Sequence, residues 1–124
     1  MEPSRAIESY RDLEVWKRGL GLAKACYVGT RQFPKEEVFG LTSQIRRASS
    51  AIPANIAEGW GRDSRGDYVR FLRIASGSIK ELETHLILSM EIGILQPATG
   101  HELLATCDEL GRMLRALIRK LDPT

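Results

Sequence analysis

From Tyr68 to Met90 apolar residues recur in steps of four and three without a break: Tyr68, Leu72, Ala75, Ile79, Leu82, Leu86 and Met90. That spacing sets them along one side of an α-helix and is incompatible with a strand, whose side chains alternate. It predicts a helix from about Gly66 to Ile92, about 40 Å long, which Gly93 and then Pro97 stop. An apolar stripe of that length must be covered, and three further stripes in the same chain offer the cover.

The first runs from about Asp12 to Gln32 through Leu13, Trp16, Leu20, Ala23, Tyr27 and Thr30. Ser9 and Asp12 have the spacing of a capping box, and Pro34 pushes Phe33 out of helical geometry. The second runs from about Leu41 to Trp60 through Leu41, Ile45, Ala48, Ile52 and Ile56. Pro53 removes one backbone donor within it, yet the apolar phase survives on both sides, so a kinked, continuous helix is expected. Asp63 or Ser64 suits the N-cap of the long helix. The fourth stripe is Leu103, Cys107, Leu110, Leu114, Leu117 and Leu121, with a capping box over Thr99 to Glu102 as its expected start. No segment alternates with period two. The fold class is therefore all-α, an antiparallel up-and-down four-helix bundle over 12–122 behind a flexible N-terminal segment at 1–11.

At 124 residues the chain suits one domain. Cys26 and Cys107 fall inside apolar patterns and read as small buried hydrophobes of a reducing compartment. The polar start lacks a signal-peptide core, and no run reaches the length of a membrane span, so a cytoplasmic protein without membrane contact is expected.

The net charge of +2 hides segregation. Arg46, Arg47, Arg70, Arg73 and Lys80 fall in a basic stretch, whereas Glu81 through Glu109 contains no Lys or Arg. Those five residues are candidate contacts for a nucleic-acid backbone; the other reading is a solvated face with intersubunit ion pairs. Nearby rings are few, Trp60, Tyr68 and Phe71, so base stacking has little support.

Catalytic and cofactor chemistry finds no footing. His85 and His101 have no ligand at metal-binding spacing on their own helices, and no P-loop or di-iron signature is present. No catalytic residue, cofactor site or metal site is expected. Asn55 and Glu58 form a polar pair within an Ala/Ile-rich run and read as a structural cluster, bonded to backbone freed at Pro53 or to an Arg of another helix.

The stretch Leu41 to Ala48, LTSQIRRA, followed by Ser50 to Gly59, SAIPANIAEG, closely resembles a bacterial four-helix-bundle family. That family is linked to intervening sequences of large-subunit ribosomal RNA. The resemblance extends through Asp12 to Trp16, Phe33 to Glu37, Phe71 to Ser78 and Glu81 to Glu83. It implies an up-and-down bundle, often a ring-like homopentamer, and more distantly a kinship with accessory proteins of retroelements that work with nucleic acid. It implies no enzymatic activity. Two functions follow: a non-enzymatic oligomeric bundle that binds RNA or another nucleic acid through its basic face, or a protein–protein adaptor that binds none.

The off-stripe residues Leu22, Val28, Val69, Ile74, Ile87, Leu104 and Ile118 add a physical motive for self-association, because a small bundle cannot cover them all.

Overall fold

The structure is a computed structural model and describes residues 6–124. Four helices, α1 (Glu14–Gly29), α2 (Leu41–Trp60), α3 (Arg65–Glu91) and α4 (Pro97–Leu121), form the bundle. Short 3-10 turns at Tyr10–Asp12 and Lys35–Glu37 precede α1 and α2, and no strand occurs among the described residues. Each helix packs on its two neighbours, so that α1 touches α2 and α4 while α3 touches α2 and α4. Consequently α1 and α3 lie on opposite corners and run in the same direction.

The stripes of α2 and α3 form the core as expected. Ile45, Ile52, Ile56, Leu72, Ala75 and Leu82 are fully buried. Helix α2 passes through Pro53 uninterrupted, and Ser64 caps α3 by accepting from the Asp67 amide at 3.1 Å. Gly93, at φ 83°, closes α3. The Gly93 amide donates to Met90 and the Ile94 amide to Ser89 at 3.0 Å, a pairing that satisfies the last carbonyls and needs a left-handed residue.

Two local expectations are corrected. The Ser9–Asp12 capping box forms, but it caps the 3-10 turn Tyr10–Asp12 ahead of α1. Helix α4 starts at Pro97, not at a Thr99 cap, because proline fits the first helical position, where no amide bond is lost. Gly100 instead packs against Met90.

The largest correction is the phase of α1. Its buried face is Val15, Gly19, Leu22, Ala23 and Cys26. Leu20 and Tyr27, expected inside, are 40% and 43% exposed, whereas off-stripe Leu22 is 1% exposed. Gly19 is on this buried face, where a Cβ would stand in ordinary contact with Ile52 at 3.4 Å and Pro53 at 3.5 Å. Val69 and Ile118 are likewise buried, while Val28, Ile74 and Ile87 stay exposed. In α4, Leu117 and Leu121 are only half-buried.

The expected flexible segment 1–11 lies partly outside the described residues, at 1–5. Tyr10, within that segment, packs edge-on against Trp16 with ring centroids 5.3 Å apart.

Candidate nucleic-acid interface

Helices α2 and α3 are antiparallel, and this divides the five basic residues. The start of α2 meets the later part of α3, so Arg47 shares a surface groove with Glu81. Three turns of α3, about 16 Å, separate that groove from Arg70. Arg46 turns the other way, onto α1. Its Nε donates to the Thr30 hydroxyl at 2.9 Å, and its guanidinium lies 4.8 Å from the centre of the Tyr27 ring. Lys80 pairs with Glu83 at 3.0 Å. The expected single patch of Arg46, Arg47, Arg70, Arg73 and Lys80 does not form.

Arg70 and Arg73 do come together, and they bring a residue that the sequence reading missed. With Arg65 they line a groove of about 480 Å³ between the start of α3 and the end of α4, floored by Val69 and Leu121. Spacing held the clue, since 65, 66, 69, 70 and 73 share one side of a helix. What was missing was the neighbour, the end of α4, which adds Leu121 and Asp122 to the groove.

One carboxylate lines this groove. Asp122 sits 3.6 Å from Arg73. Its pKa is held below the usual value, first by the Thr124 hydroxyl, which donates to it at 2.6 Å, and then by Arg73. Arg70 lies 4.7 Å from the Phe71 ring centre, and its Nε is 4.0 Å from Asp67. The rings nearby are engaged within the protein. Phe71 is buried, and Trp60 and Tyr68 meet edge-on at 6.0 Å. The groove thus presents guanidinium groups to an anion without a stacking platform.

The sequence model of the family described as 23S rRNA-intervening sequence protein matches residues 11–116. The chain belongs to that family. A solved structure of similar fold is described as a protein of unknown function from the S23 ribosomal protein family of Bacteroides thetaiotaomicron. It superposes with a TM-score of 0.76 at 24% identity, covering 85% of this chain and 98% of that one. At that identity the likeness speaks for the fold alone. No curated protein matches the chain.

The stretch that most resembles the 23S rRNA-intervening sequence family is α2, and its polar pair is now placed. Asn55 is half-buried and its Nδ2 donates to the Ala51 carbonyl at 2.8 Å, one turn back on its own helix. That is not the Ser49 carbonyl, which faces the proline. Glu58 is exposed and meets Arg62 at 2.9 Å, one turn on, not an Arg of another helix. An exposed pair of this spacing contributes little stability.

Both cysteines of this family member are buried and free. Burial pushes the Cys26 thiol up to about 11, against a hydrogen bond with Ser49 that lowers it. Burial and then neighbouring Cys26 push Cys107 up to about 12. Thiols held protonated are poor nucleophiles and poor metal ligands. His85 lies 3.7 Å from Glu81, and no group of three or more His, Cys, Asp or Glu converges among the described residues. No helix among them is long and apolar enough to cross a membrane.

Proposed function

We propose that the chain is a non-enzymatic bundle that assembles with copies of itself and contacts RNA through the arginines at the α3–α4 end. The observation that carries the RNA contact is the groove in which Arg65, Arg70 and Arg73 open together against the lone carboxylate Asp122. Guanidinium groups on a rigid helix match phosphate oxygens, often two at a time. The family's link to 23S rRNA intervening sequences favours RNA as the source of those phosphates. With no ring lining the groove to stack on bases, binding follows the backbone and carries little sequence preference. Self-assembly is supported by the exposed apolar residues, and the family resemblance suggests five subunits.

Salt dependence tests the RNA contact. Affinity for a structured RNA should fall linearly on a double-logarithmic plot against salt concentration. Arg70→Glu combined with Arg73→Glu should weaken binding and flatten the slope by about one unit per lost phosphate contact. Absence of binding at low salt, or a slope that the double variant leaves unchanged, would reject the groove. The adaptor reading draws on a different feature: Phe39, beside Glu36 and Glu37, is 94% exposed, a side chain suited to burial against another protein.

A further inference from the structure

We infer that α1 of one copy packs against α3 of the next, with the two helices parallel, through an outward ladder on each. This rests on the self-assembly proposed above and names the surfaces that perform it.

Helix α1 carries two apolar stripes. One is used inside its own bundle. The other, Leu20 and Tyr27, stands seven residues apart on the outside, and Lys17, Lys24 and, just past the helix end, Arg31 repeat every seven beside it. Leu20 and Tyr27 are each about two-fifths exposed, and neither Lys24 nor Arg31 has an ion-pair partner among the described residues. A seven-residue repeat of apolar and charged positions is what a helix shows when it meets another helix along its length.

Helix α3 carries the matching ladder. Ile74, Glu81 and Leu88 repeat every seven, with Ile74 40% and Leu88 44% exposed. Gly77 stands between them with nothing within 4 Å of where a Cβ would be. Glu91 is exposed and unpaired among the described residues, and Glu81 has only His85 at 3.7 Å and Arg47 across its groove. One ladder is basic and the other acidic in its upper half. The two therefore attract each other and repel their own kind.

The heights also agree. Gly19 of α1 lies against Pro53 of α2. Further along, Gly59 of α2 lies against Tyr68 and Phe71 of α3, and Arg47 shares a groove with Glu81. Pro53 is midway between Arg47 and Gly59, so its level on α3 is the turn Ile74–Gly77. Leu20 thus stands at the level of Ile74 and Gly77, and one turn higher Lys24 stands near Glu81. A rotation about an axis parallel to the bundle brings these levels together with no shift along the axis. Leu20 then seats on the open backbone of Gly77, and Lys24 faces Glu81. Because α1 and α3 occupy opposite corners, each copy offers one face to each neighbour. Such a heterologous contact without axial shift closes as a ring where its rotation divides a full turn.

Light scattering on the purified chain tests this against the 13.9 kDa of a single copy. All substituted residues are exposed, and circular dichroism checks that each variant keeps its helices. The unsubstituted protein should have a mass several times the monomer's. Lys24→Glu with Arg31→Glu should lower the mass toward one copy, as should Glu81→Lys with Glu91→Lys. All four changes in one chain should restore the assembly, since the attraction is merely reversed. A monomeric unsubstituted protein would overturn self-assembly itself. An assembly indifferent to the double variants, or a quadruple variant that stays dissociated, would overturn this pairing of faces while self-assembly stands.

Discussion

Leu82→Ala should cost the bundle about 2–5 kcal/mol of unfolding free energy. Leu82 is fully buried midway along the longest helix and belongs to the central cluster with Ile45, Leu72 and Leu114. Truncation removes apolar atoms from contact and leaves a space that helices fixed on every side cannot fill. Urea titration at matched protein concentration measures the loss, because assembly makes apparent stability depend on concentration. Leu20→Ala is the contrast. Read from the periodicity alone, Leu20 belongs to the core and should behave alike. At 40% exposure it should cost the isolated subunit far less. Measured in the dissociated Lys24→Glu, Arg31→Glu background, a Leu20 loss equal to that of Leu82 would reject the observed phase of α1.

Gly59→Ala should lose about 1–3 kcal/mol through overpacking. In a helix interior this substitution ordinarily gains up to about 1 kcal/mol, since alanine has the better propensity. Here the sign reverses. The new Cβ would stand 2.7 Å from the Cβ of Phe71 and 3.3 Å from the Tyr68 carbonyl oxygen. Neither atom can rotate aside, so α2 and α3 must separate at the point where their ends meet. Gly21→Ala provides the internal control, because nothing lies within 4 Å of its Cβ position. Thermal unfolding should therefore move down for Gly59→Ala and up for Gly21→Ala. A rise for Gly59→Ala would mean that the two helices approach less closely than described.

These pairs mark how far the sequence could be read. The stripes of α2 and α3 were legible because each helix carries one dominant apolar face, so period and phase coincide. Helix α1 carries two, Leu13–Leu20–Tyr27 and Val15–Leu22–Cys26, and periodicity finds both without saying which faces inward. Only the packing against the other helices shows that the Val15–Leu22–Cys26 side is the buried one. The basic residues failed for a related reason. Spacing places Arg70 and Arg73 on one side of α3, and that held. Joining them to Arg46 and Arg47 overlooked a consequence of the antiparallel packing already expected, that the start of α2 meets the later part of α3. An antiparallel pair brings Arg47 to Glu81 and leaves Arg70 beside the end of α4. Arg65 was missed because only that neighbour turns it from a first-turn residue into part of a groove.

The two buried thiols give the molecule a clock. Cys26 of α1 and Cys107 of α4 are both fully covered, and both are free. An alkylating reagent reaches neither while the helices stay packed, so each modification event records an opening that parts α1 or α4 from the rest. At low reagent the labelling rate follows the population of open molecules; at high reagent it saturates at the opening rate itself. Equal rates at both positions would mean that the bundle opens as one unit. A faster rate at Cys107 would identify α4 as the helix that leaves first.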